Sequence, residues 1–127
     1  MKNMILTVFV GLFLNLGLSA QELTYDQPLK VENKQYTLID VDDWGHTEIL
    51  VETFNNKGEL VERGILKNNK RHGIWTMYSN NQISAEMAFN NDNRVWLKVY
   101  KEDGFTHVTY MNNRPYVVQT ETRLASN

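Results

Sequence analysis

Asparagine pairs recur along this chain at intervals typical of a short β-strand followed by a tight turn. They stand at 55–56, 68–69, 80–81, 90–91 and 112–113. A further turn signal, Glu102-Asp103-Gly104, divides the longest interval, so a turn recurs about every 11 residues. Asn tolerates the left-handed backbone that tight turns require, and its amide bonds to its own backbone. The spacing therefore predicts an all-β fold, an antiparallel meander of repeated β-hairpins.

The first twenty residues predict a secretory signal peptide. Lys2 gives a positive start, residues 4–18 are nearly all apolar, and Ser19-Ala20 supplies small residues before Gln21. The apolar run is shorter than the ~20 residues that a membrane span requires. Cleavage after Ala20, or one residue earlier after Ser19, makes this an exported protein, periplasmic or extracellular. An uncleaved N-terminal anchor is the alternative.

The composition beyond residue 20 narrows the classes of partner and site. Lys2 is the only charged residue before position 21, so 12 basic and 15 acidic residues remain and the net charge is −3. This charge is unfavourable for a nucleic-acid partner, and we expect no integral membrane span after cleavage. The chain has no cysteine, which excludes thiolate zinc sites and cysteine nucleophiles.

The domain organisation predicted from these patterns is a signal peptide at 1–20, an extended lead-in at 21–34, a single β-repeat domain at 35–121 and a frayed C-terminus at 122–127. Two segments alternate strictly, which places one face in the core and one face in water. In the first, Ile83, Ala85, Met87 and Phe89 share a face. In the second, Val95, Leu97 and Val99 lie opposite Trp96, Lys98 and Tyr100. The predicted strands are 35–40, 47–54, 59–67, 74–78, 82–89, 94–101, 105–110 and 116–121.

The segment 67–83, with Glu86 after it, resembles the bacterial MORN-like repeat of the YwqK-type, antitoxin-like proteins. Gly73, Trp75, Tyr78 and Glu86 stand where that repeat has its structural residues, and Asn80 matches as well. The resemblance covers about 50–117, and a related unit begins 21 residues after Trp75, at Trp96. Asn replaces the usual Gly at 69, 81, 91 and 113, as expected for a degenerate, exported member. The resemblance implies stacked hairpins and no particular chemistry.

Trp96, Lys98 and Tyr100 are the residues we expect to form a binding face, with Trp75 buried among the hairpins. The alternative is that the whole aromatic series packs between strands. His46, His72 and His107 are too scattered to predict a metal site. We find no catalytic residue set and no cofactor motif, and we therefore do not expect an enzyme.

Two functional hypotheses follow. The first is an exported, non-catalytic β-repeat module that binds a protein or a cell-envelope component. The second, implied by the resemblance, is an antitoxin-like or immunity protein that neutralises a toxin. The identity of the partner is not encoded in any motif of the chain.

Overall fold

The computed structural model describes residues 8–10, 21–25 and 27–122. Within these residues the chain forms eleven β-strands and no helix. The strands are β1 Val8–Val10, β2 Gln21–Leu23, β3 Leu29–Val31, β4 Lys34–Val41, β5 Thr47–Phe54, β6 Leu60–Lys67, β7 Lys70–Ser79, β8 Gln82–Asn90, β9 Asn93–Lys101, β10 Gly104–Met111 and β11 Arg114–Thr122. Strands β3 to β11 form one nine-stranded antiparallel sheet in sequential order, while β1 pairs with β2 separately. The predicted antiparallel meander is confirmed.

Three of the Asn pairs form the turns that the sequence predicts. Asn68-Asn69, Asn80-Asn81 and Asn112-Asn113 each connect two strands, and all six residues have φ between 50° and 64°. Positive φ at both central residues characterises the type I′ turn, whose twist matches that of the flanking strands. Asn reaches this conformation with little steric penalty, so the chain builds these hairpins without glycine.

The other two pairs lie near turns but do not occupy both central positions. Asn90 ends β8, and the turn is formed by Asn91 and Asp92, with φ of 49° and 69°. Asn55 instead opens a longer loop in which its Oδ1 accepts hydrogen bonds from the backbone N–H groups of Lys57 at 2.9 Å and Glu59 at 3.0 Å. An Asn pair therefore predicts the location of a turn, but not its type.

Backbone hydrogen bonds also join turns and strand ends that lie on the same side of the sheet. A backbone N–H donates to the carbonyl 21 residues earlier at three places: Phe54 to Asn33 at 2.8 Å, Asn68 to Thr47 at 2.7 Å and Asp92 to Arg71 at 2.9 Å. This separation equals the spacing of the sequence repeat, from Trp75 to Trp96. At these three places the end of one hairpin is therefore attached to the end of another, in addition to the pairing along the strands.

The hydrophobic core lies on one face of the sheet, which we call the core face. Its buried members are Leu23, Tyr36, Leu38, Ile49, Val51, Leu66, Trp75 and Phe89. Leu23 comes from β2, so the segment after residue 20 packs on this face. Burial on the core face is greatest in the N-terminal strands of the sheet and declines toward the C-terminal strands. On this face Tyr36 of β4 is 5% exposed, whereas Val118 of β11 is 62% exposed.

Bulges alter the faces that strict alternation predicts. A shift in pairing between Met77 and Tyr78 places Ile83 opposite Tyr78, and Ile83 is exposed. A second shift, between Ala88 and Phe89, leaves Val95 outside the register, and it too is exposed. The predictions that Ile83 and Val95 face the core were wrong, because an extra residue in a strand breaks the alternation of faces around it.

The predicted segments at the two ends of the chain lie only partly within the described residues. The predicted signal peptide, 1–20, lies outside the described residues except for β1, and its cleavage stays a prediction. The predicted lead-in, 21–34, contains the short strands β2 and β3. The predicted frayed end begins at the last residue of β11, and residues 123–127 lie outside the described part.

Candidate functional site

Trp96, Lys98 and Tyr100 lie on the face of the sheet opposite the core face, which we call the outer face. All three are half-buried, and they alternate with Leu97 and Val99, which belong to the core face. Trp96 stands opposite the buried Ala88 of β8, and Lys98 stands opposite Glu86. The three predicted binding residues are therefore neighbours along one strand and face the same side.

Side chains of β10 extend this group sideways. The ring of His107 meets Trp96 edge to face, with centroids 5.8 Å apart and planes at 81°. The ring of Phe105 lies 6.3 Å from that of Tyr100 in a tilted arrangement. Sequence reasoning placed Phe105 and His107 in a strand but not in this group. Period-two alternation in β10, aligned with β9, is the signal that would have identified them.

The ammonium group of Lys98 lies above two of these rings. Its Nζ is 4.0 Å from the centroid of Phe105 and 5.5 Å from that of Tyr100. Such cation–π contacts stabilise exposed sites by about 0.5–1 kcal/mol. Within the described residues Lys98 forms no ion pair, although Glu86 lies directly across the sheet. The geometry therefore holds a cation in place on an aromatic surface without a salt bridge to any of the described residues.

Glu86 is instead engaged by Tyr100, whose hydroxyl donates a short hydrogen bond to the Glu86 carboxylate. This hydrogen bond, together with desolvation and the negative charge of Glu86, raises the pKa of Tyr100 above its ordinary value of 10.0. Glu86 and Tyr100 are 14 residues apart and lie on adjacent strands. Glu86, one of the residues that match the repeat, thus fixes the orientation of an aromatic side chain in the candidate binding face.

Trp75 lies on the core face and is only 6% exposed. Its Nε1–H donates to the carbonyl of Ile65 at 3.1 Å, and its ring meets Phe89 edge to face at 6.3 Å. The ring lies directly on Gly64, because a Cβ at that position would be 2.0 Å from Trp75 Cδ2. Trp75 therefore packs on a site that only glycine leaves open. Gly64 was not singled out from the sequence.

Gly73 and Tyr78, which the resemblance also marks as structural, both lie in β7. Gly73 has φ of +74°, a conformation that L side chains rarely adopt. Tyr78 is half-buried and lines a cleft of about 380 Å³ beside the 55–59 loop.

Trp44 is the most exposed tryptophan, at 86%, and sequence reasoning treated it only as part of a turn. The turn is organised by Asp42, whose Oδ1 accepts hydrogen bonds from the backbone N–H groups of Trp44 and His46, both at 2.8 Å. Desolvation raises the pKa of Asp42, but these bonds and the contact of its Oδ2 with His46 Nδ1 outweigh it and lower the pKa below 3.8. Trp44 is far along the sheet from Trp96, four strands away.

A groove of about 430 Å³ crosses the core face. Its apolar floor includes Tyr36, Trp75 and Met87, and its rim carries charged side chains. Two of the rim residues bind each other: Asp92 Oδ1 accepts hydrogen bonds from the backbone N–H of Arg71 at 2.8 Å and from its Nε at 3.2 Å. This pair joins the start of β7 to the turn before β9. The two charges are therefore paired with each other and stabilise the sheet.

In the part of the chain that the structure describes, no three His, Asp or Glu side chains are grouped as metal ligands. In the same residues, no helix is long and apolar enough to cross a membrane. No protein-family model, characterised protein or solved structure matches this chain.

Proposed function

We propose that the mature chain is an exported, non-catalytic β-repeat module that binds a partner protein or a cell-envelope component through its outer face. The observation that carries this proposal is the group formed by Trp96, Lys98 and Tyr100 with Phe105 and His107. Trp and Tyr are among the side chains that predominate in binding hot spots. Export is supported by the sequence pattern of residues 1–20.

The chemistry of this face favours a partner that combines an acidic group with an apolar surface. Lys98 offers an ammonium charge without an ion-pair partner among the described residues, and the half-buried indole of Trp96 offers apolar contact area. Because the hydrogen bond between Tyr100 and Glu86 limits ring motion, binding would cost less side-chain entropy. The MORN-like resemblance supports a repeat scaffold for such a surface.

The test is capture of partners from an envelope extract by the exported protein and two matched tryptophan variants. Trp96→Ala removes the centre of the proposed face, whereas Trp44→Ala removes an exposed tryptophan at a distant turn. We expect Trp96→Ala to reduce capture of a specific partner at least tenfold, since loss of a hot-spot side chain costs about 2 kcal/mol or more. Trp44→Ala should capture as much partner as the wild type.

Equal capture by the wild type and Trp96→Ala, with both proteins folded, would contradict a binding role for the outer face. Charge reversal at Lys98 by Lys98→Glu separates attraction to an acidic partner from general hydrophobic adhesion. It should weaken specific capture, and the loss should be smaller at high salt, because an exposed charge pair is screened. If the captured partner proves to be a toxin whose activity the protein inhibits, the antitoxin-like alternative replaces the general binding module.

A further inference from the structure

The last strand of the sheet, β11, has an open edge. It is the end member of the nine-stranded sheet, and within the described residues nothing pairs with its outer side. It is nine residues long, and every one of its residues is exposed. A row of unpaired backbone N–H and C=O groups of this length is a template for pairing with another strand.

The opposite edge of the sheet is closed to such pairing by its size. Strand β3 contains only three residues, and Leu29 and Val31 pack against the core. Natural proteins protect edges in this way, by making the edge strand short. In β11 the proline and the bulge lie together at one end of the strand, at Pro115. From Val117 to Thr122 the strand pairs regularly with β10 and carries no lysine or proline.

The burial pattern of the core face also ends abruptly at β11. The row of facing residues that begins with Trp75 continues through Met87, Leu97 and Val108 to Val118. Trp75 is buried, the next three are half-buried, and Val118 is 62% exposed. In repeat proteins the terminal unit normally has a polar outer surface that caps the stack. Here the apolar row reaches the edge without such a cap.

We propose that β11 is a dimerisation edge, at which it pairs antiparallel with β11 of a second copy of this chain. Self-pairing is favoured by the charges of the strand, which begins with Arg114 and ends near Glu121. The bulge places Arg114 opposite Met111, while Val117 lies opposite Thr109, so Arg114 returns to the face that carries Val117 and Glu121. Because Tyr116 is the extra residue of the bulge and has no partner in β10, antiparallel pairing about Val118 places Arg114 of each copy opposite Glu121 of the other. The contact is complementary to itself, as a two-fold interface requires.

The pairing gives a closed dimer. Both copies use the same edge, and the remaining edges are the short β3 strands, so no further copy is added. This inference does not depend on the proposed function, because β11 lies two strands away from Trp96 and the dimer leaves the outer face of β9 uncovered.

The chain has no cysteine, so single introduced thiols report on this edge without interference. Val118→Cys places one thiol from each copy at the two-fold axis, and mild oxidation should convert most of the protein to a disulfide-linked dimer. Lys30→Cys, on the exposed side of the opposite edge strand, is the matched control and should stay monomeric on a non-reducing gel. Equal cross-linking of both variants would indicate random collision and would contradict the proposal.

Analytical ultracentrifugation of the exported protein measures the association directly. The wild type should sediment with twice the monomer mass, and Val118→Lys should raise the dissociation constant roughly tenfold or more, because like charges oppose each other at the axis. Val95→Lys changes another exposed valine, in an interior strand, and should leave dimerisation unchanged. A wild-type protein that remains monomeric throughout the micromolar range would overturn the proposal.

A charge exchange tests the antiparallel register. Arg114→Glu should weaken the dimer because it places two carboxylates side by side, and adding Glu121→Arg should restore it. A double variant that remains as weak as Arg114→Glu alone would reject this register.

Discussion

The contact between Gly64 and Trp75 gives the sharpest prediction about stability. A methyl group at Gly64 would lie 2.0 to 2.4 Å from three ring atoms of Trp75, whereas ordinary contacts are at least 3.4 Å. Gly64→Ala must therefore displace the indole by more than 1 Å. Overpacking costs about 1–3 kcal/mol, and loss of the hydrogen bond from Trp75 to Ile65 costs about 0.5–1.5 kcal/mol. We expect a total loss of roughly 2–4 kcal/mol in the free energy of unfolding.

The sign of this effect should reverse when the ring is absent. Trp75→Ala alone should cost about 3–5 kcal/mol, as expected for a large side chain removed from a core. In that background Gly64→Ala meets no ring, and Gly64 does not have a positive φ. Replacing a strand glycine by alanine should then stabilise the protein by about 0.4–1 kcal/mol, because the unfolded chain loses freedom.

Urea unfolding of the four proteins in this double-mutant cycle measures the coupling. Gly58→Ala is the matched control: Gly58 has φ of +80°, and a Cβ added to it would meet no atom within 4 Å. The cost of Gly58→Ala, about 1–2 kcal/mol, should therefore be the same with and without Trp75. The Tm of Gly64→Ala should fall by roughly 10–20 °C in the wild-type background. Equal destabilisation by Gly64→Ala in both backgrounds would refute the steric argument.

Three further predictions concern local interactions. Glu86→Gln should lower the pKa of Tyr100 toward its ordinary value. Absorbance at 295 nm during an alkaline titration measures this pKa, and Tyr100→Phe identifies which part of the signal belongs to Tyr100. Since folding raises this pKa, the stability that the Tyr100 hydroxyl contributes is present below pH 10.0 and is lost as the pH rises through the folded value. Absence of this alkaline loss in Glu86→Gln would confirm that the hydrogen bond to Glu86 causes it. Folding lowers the pKa of Asp42, so its contribution is present above pH 3.8 and is lost as the pH falls through the folded value. Amide signals of residues 44 and 46 should report this acid transition, and Asp42→Ala should abolish it; an unchanged transition would exclude Asp42 as its origin. Asn69→Gly should preserve stability, whereas Asn69→Val should cost about 1–2 kcal/mol in urea unfolding, because a β-branched residue is strained at φ of 64°; equal stability of these two variants would contradict the turn assignment.

The candidate binding face was predictable only in part. Alternation within β9 places Trp96, Lys98 and Tyr100 on one side, because the side chains of a strand point to opposite faces with a period of two residues. Their neighbours on β10, and the hydrogen bond from Tyr100 to Glu86, depend on which residues of adjacent strands face each other. That register is decided by the number of residues in each turn and bulge, which composition does not reveal.

The sequence by itself determined the fold class and the approximate position of each turn from β4 to β11, whereas the turn between β3 and β4 fell within the predicted lead-in. Asn, Asp and Gly act through their own backbone preferences, so a recurring pair such as Asn80-Asn81 predicts a hairpin without knowledge of distant residues. Tertiary structure decided what no local preference encodes. Two bulges, each with one additional residue in a strand, turned Ile83 and Val95 outward, and the register of β6 against β7 placed Gly64 beneath Trp75. Faces and contacts across a sheet depend on the sum of all preceding shifts, so they emerge only when the strands are assembled.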